Sequence, residues 1–135
     1  MSWDVLLTRL PEHVRSIGEI PKDYRPQALG PRSEVGEALA IAVPSVDMTD
    51  PAWGMLEGPG WSIELNIGHA DPVDAIMLHI RGSGDDVLTH VFRMAAELTC
   101  HVVDCSDGEL ITEGATGQWH AWQEFRNRVI ADPVG

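Results

Sequence analysis

The chain has 135 residues, enough for one domain with a proper core, and 44% of them are hydrophobic, which argues against disorder. Asp and Glu number 21 against 9 Lys and Arg, a net charge of −12, so the chain lacks the basic clusters that neutralise nucleic-acid phosphates. No apolar run reaches the roughly 20 residues that span a bilayer, which argues against a membrane helix.

The opening MSWDVLLTRLPEH carries Asp4 and no basic leader. It reads as a first strand over 3–10 rather than a secretory signal, and the expected compartment is the cytoplasm. Pro11, Pro21, Pro26 and Pro31, with Gly18 and Gly30, then make 11–32 an irregular arm laid over the body. Ile17, Ile20, Tyr24 and Leu29 are its expected anchors.

Ser33 is placed to cap a helix over 33–43 with Val35, Leu39 and Ala42 on its inner face, and Pro44 ends it. SVDMTDP reads as a linker to a short strand over 52–57, and Gly58-Pro59-Gly60 turns the chain. With Glu57 opposite Trp61 across that turn, Met55 faces Ile63 and Trp53 faces Leu65, all on the core side.

The centre of the molecule is expected in WSIELNIGHADPVDAIMLHIR, residues 61–81. Trp61, Ile63, Leu65 and Ile67 alternate with Ser62, Glu64 and Asn66. Ile76, Leu78 and Ile80 alternate with Met77, His79 and Arg81. Alternation of this kind marks two strands buried on one face, joined by a Gly-Asp-Pro loop. A helix follows over about 85–99, its stripe formed by Leu88, Val91, Phe92, Ala95 and Leu98. Residues 101–105 return as a strand, and Ser106-Asp107-Gly108 suggests a hairpin into 109–112. The last helix runs over about 117–131 with Trp119, Trp122, Arg126, Val129 and Ile130 along one stripe. Its tryptophans either dock on the core or form an exposed recognition surface.

This order predicts a single α+β domain over 1–135, a mainly antiparallel sheet of about five strands backed by two to three helices. A ferredoxin-like arrangement is the nearest named pattern.

The polar side of the central strands carries the candidate chemistry. Sharing a core face requires paired residue numbers that sum to an odd value. A sum of 143 sets Glu64 opposite His79 and Ser62 opposite Arg81, whereas 145 sets Glu64 opposite Arg81 and Asn66 opposite His79. Either register gathers Glu64, His79 and Arg81, as general acid–base groups with an anion holder or as charge pairs on a solvated face. Gly82-Ser83-Gly84 precedes a helix, but Val87 stands where a dinucleotide fingerprint has glycine, and Asp85 and Asp86 would repel a phosphate. Cys100 and Cys105 match no zinc spacing and read as thiols, mostly buried. No cofactor or metal is expected.

Charge is unevenly spread: from 33 to 80 every Asp, Glu, Lys or Arg position is an acid. Asp47, Asp50, Asp71 and Asp74 are expected in loops there. With Glu64 and His79, they are the candidate surface for a basic protein partner, unless the charge serves only solubility.

The stretches MSWDV, IPKDYRP, LGPRSEV, DPAWG, GPGWSIELNIG and DPVDAIMLHIRG resemble small bacterial proteins of the domain-of-unknown-function type over residues 1 to about 84. Size, acidity and an α+β body are also similar to immunity proteins of bacterial toxin systems. That likeness implies a non-enzymatic module neutralising a basic partner. The competing expectation is an enzyme using Glu64, His79 and Arg81, and a third is a housekeeping domain with no specific partner.

Overall fold

The computed structural model describes residues 1–131. Its elements are β1 (Trp3–Thr8), α1 (Arg32–Ala42), β2 (Asp47–Asp50), β3 (Trp53–Gly58), β4 (Trp61–Asn66), β5 (Ile76–Gly82), α2 (Asp86–Leu98), β6 (His101–Asp104) and α3 (Gly117–Ala131). The strands form one sheet in the order β2-β3-β4-β5-β1-β6, and every neighbouring pair is antiparallel. The α+β expectation holds, with six strands instead of about five. Two crossovers carry helices: β1 leads through α1 to β2 at the far edge, past β5, β4 and β3, and β5 leads through α2 to β6, past β1.

The alternation of the strands sorts their side chains between two faces. On one, Trp3, Val5, Leu7, Leu56, Trp61, Ile63, Leu65, Ile76, Leu78 and Ile80 share a core with Val35 and Leu39 of α1 and Val87, Val91, Met94 and Leu98 of α2. Burying each of the Leu or Ile side chains contributes roughly 1.5–3 kcal/mol relative to leaving it in water. Leu78 is fully buried at the centre, so Leu78→Ala would cost about 2–5 kcal/mol.

The extra strand is β2, which replaces most of the expected linker. Its four residues lie along the sheet edge, with a register shift between Asp47 and Asp50. Short, acidic and irregular, it is a poor template for edge-to-edge pairing.

The β3–β4 hairpin corrects the expected register by one residue. Gly58 pairs with Trp61, Leu56 with Ile63 and Gly54 with Leu65, so Trp53, Met55 and Glu57 point away from the core. The reason is the turn: Pro59-Gly60 is a two-residue connection, and Gly60 takes φ +80. Gly58 also has to be glycine, because a Cβ there would lie 2.1 Å from the Trp61 ring.

α1 starts one residue before the expected Ser33 cap, and no side chain of its own chain start caps it. Asp71 from the β4–β5 loop takes that role, its Oδ1 accepting from the Arg32 N–H at 3.2 Å. A carboxylate there also suits the positive end of the helix. The expected hairpin after β6 shrinks to one bridge, Val103 with Leu110.

The arm is held mainly by its backbone and less by apolar anchors. Ile17 is exposed, but its N–H donates to the Gly108 carbonyl, and Leu110 N–H donates to Arg15. Leu29, the anchor that is buried, bridges to Val73. Arg9 closes the arm onto α2. Its guanidinium donates to the carbonyls of Ala28 at 2.7 Å, Leu98 at 2.9 Å and Thr99 at 3.2 Å. Leu98 and Thr99 end a helix whose carbonyls otherwise lack donors, and the cation favours that negative end.

α3 spans its expected residues, but only its first half docks. Trp119 is fully buried against Trp3 at 5.1 Å, and its Nε1 donates to Gly84 O. Phe125, Val129 and Ile130 are exposed. The stripe expected to bury Val129 and Ile130 therefore ends early. No helix among the described residues is long and apolar enough to cross a membrane.

Candidate functional site

The second face of the sheet carries the alternate residues of the same strands: Asp4 and Leu6 of β1, Trp53, Met55 and Glu57 of β3, Ser62, Glu64 and Asn66 of β4, and Met77, His79 and Arg81 of β5. Each is exposed or only half-buried. The face as a whole is therefore open, and Trp122 of α3 borders it beside Asp4.

The register is the one that sums to 143. Glu64 lies opposite His79 and Ser62 opposite Arg81. Yet Glu64 and His79 bond elsewhere. Arg81 Nη1 donates diagonally to Glu64 Oε1 at 2.8 Å. His79 Nδ1 lies 2.8 Å from Oδ1 of Asp4, its partner across the other ladder. Ser2 Oγ donates to the same Asp4 oxygen at 2.7 Å. The imidazole also stacks on Trp53, with ring centroids 5.9 Å apart and planes at 22°. His79 therefore sits between a carboxylate and an indole. Partial burial works against the Asp4 carboxylate, but Ser2, His79 and Arg81 outweigh it and hold its pKa below the usual carboxylate value.

Acid–base catalysis needs a poised group in a concave, water-poor site. Here the side chains of Glu64, His79 and Arg81 keep 27%, 24% and 44% of their exposure. Solvent-exposed pairs of this kind contribute about 0–1 kcal/mol each. What the arrangement offers is a rigid platform with an aromatic centre and charged surroundings.

The expected binding residues divide. Asp47 and Asp50 lie on a strand and not in loops, and they pair with Met55 and Trp53, which brings them to this same face. Two hydrogen bonds from Thr49 lower the Asp47 pKa. Asp50 Oδ1 accepts from Ala52 N–H at 2.9 Å. Asp71 is committed to the start of α1, and Asp74 is exposed in the same β4–β5 loop, so neither joins the cluster.

Trp53 and Asp4 were missed as members of this face. The signal was present in β3, where Ala52, Gly54, Leu56 and Gly58 alternate as its small or apolar set. The tryptophan dominated that reading because large aromatics are usually core residues.

Both cysteines are free thiols. Cys100 is half-buried, and burial, slightly offset by Arg9, pushes its pKa up to about 12. Cys105, expected to be buried, is exposed, its Sγ 3.8 Å from Met77 Sδ. Burial and the charges of Asp4 and Asp104 still raise its pKa. Among the described residues no three His, Cys, Asp or Glu side chains gather to hold a metal ion. No family model and no curated protein matches the chain.

Proposed function

We propose that the chain is a binding module whose open sheet face docks a basic protein, with an immunity-like neutralising role as the specific form. The observation that carries this reading is Trp53. It is 37% exposed at the start of β3, one strand in from the sheet edge, and braced against His79, with Asp47, Asp50, Glu57 and Glu64 on the same face. A rigid, half-exposed tryptophan loses little entropy on docking, and such residues dominate interface energetics. The acids around it supply complementarity to a basic surface and speed encounter. Two free thiols suit a reducing compartment such as the cytoplasm.

The test is capture of partners from the source cells, followed by kinetics with the isolated partner. Trp53→Ala should weaken binding by about 2 kcal/mol or more, mainly through faster dissociation. Asp47→Asn with Asp50→Asn should slow association at low salt and leave dissociation almost unchanged. A partner that binds both variants like the wild type would place its docking surface elsewhere.

A further inference from the structure

A cavity of about 390 Å³ lies between the turn after β6 and α3, and none of the sheet-face residues around Trp53 lines it. Asp104, Ser106, Asp107, Gln118, Trp122 and Phe125 line it. We propose that it binds the alkyl-guanidinium or alkyl-ammonium side chain of an Arg or Lys presented on a peptide backbone.

Asp104 carries the inference. It is only 2% exposed, and a buried carboxylate needs hydrogen bonds and a countercharge. Ser106 supplies the hydrogen bonds, through its N–H at 2.9 Å and its hydroxyl, and both fall on Oδ1. Among the described residues nothing donates to Oδ2. The lining includes no Lys, Arg or His, and Asp107 adds a second acid. Arg126, the neighbouring cation, lies over the Trp122 ring and donates to the Gly82 carbonyl. The countercharge is thus left for a ligand to bring.

The remaining walls fit the rest of such a side chain. Trp122 and the half-exposed Phe125 offer apolar surface for a methylene stem, which long cationic side chains bury readily. Gln118 adds a buried Nε2 with no acceptor. A carbonyl at the far end of the stem, as a peptide backbone provides, would accept from it. The carboxylate selects the charge, the aromatics select the stem, and the amide selects the backbone.

Calorimetry with Nα-acetyl-arginine methylamide, its lysine counterpart and the neutral citrulline analogue tests the site. Saturable binding of the cationic probes is expected, with the citrulline analogue and the variant Asp104→Asn each weaker by about tenfold. Asparagine keeps an Oδ1 acceptor for Ser106, so the turn should survive. Should circular dichroism show that variant unfolded, Ala121→Met decides instead, because it fills the cavity from an exposed position and should abolish binding. Butylguanidinium separates the sources: weaker binding than the acetylated methylamide supports a peptide-borne side chain, and equal binding overturns the role of Gln118. No saturable binding, or equal binding of the citrulline analogue, overturns the site. Trp53→Ala should leave every value unchanged, so failure here is distinguishable from failure of the sheet-face reading.

Discussion

His79 and Asp4, 75 residues apart in the chain, face each other across the β1–β5 ladder with Nδ1 2.8 Å from Oδ1. This contact ties the first strand to the centre of the sheet on its open face. Because the folded Asp4 pKa lies below its unfolded value, the stabilisation is present above the unfolded pKa and fades as pH falls through the folded one. Asp4→Asn should therefore destabilise at neutral pH, by about 1 kcal/mol or less given its exposure. Urea unfolding at pH 7 and at pH 2 checks it, and the two proteins should converge at the lower pH.

The glycines of β3 and α1 predict opposite outcomes for one substitution. Gly58→Ala forces a Cβ into the Trp61 indole, whose Nε1 donates to Asp86. It should cost about 1–3 kcal/mol. Gly36→Ala meets nothing within 4 Å inside a helix. It should stabilise by roughly 0.5–1 kcal/mol. Thermal unfolding of the two variants, side by side, measures both.

Arg9 holds the arm, the first strand and the end of α2 in one guanidinium fork. Arg9→Met leaves carbonyls of Ala28 and Leu98 without their donor and should cost about 2–3 kcal/mol. Arg9→Lys should recover only part, since an ammonium cannot reproduce the planar fork. Trypsin should then cut after the exposed Lys22 faster than in the wild type.

The two thiols should react in a fixed order. Cys105 is exposed and Cys100 has a pKa of about 12, so at pH 8 its thiolate fraction is on the order of 10⁻⁴. Iodoacetamide should label Cys105 first, and mass spectrometry of the digested protein reads the order. Unfolded Cys100 ionises near 9 while the folded thiol stays protonated. Its contribution to stability is therefore full below about pH 9 and declines as pH rises toward 12.

Much of the fold could be read from the chain itself. Alternation in 61–67 and 76–80 marked β4, β5 and their buried faces, because a strand's period of two leaves no choice once one face is apolar. The stripes of α2 and the inner face of α1 followed from helical spacing in the same way. Where local pattern was weak, the reading slipped. DMTD has no apolar alternation, so β2 exists only because β3 offers it a ladder.

By itself, then, the sequence determined most element types, the buried faces of β4, β5, α1 and α2, and the presence of Glu64, His79 and Arg81 on one face. Tertiary structure decided which of them touch. Glu64 and His79 are opposed in register, but Arg81 and Asp4 are better partners in reach, and Asp4 arrives from a strand distant in sequence. Likewise, no local pattern reveals that Asp104 ends up buried beside Trp122 and Phe125. Periodicity is a property of neighbours along the chain, whereas a site is made by residues that only packing brings together.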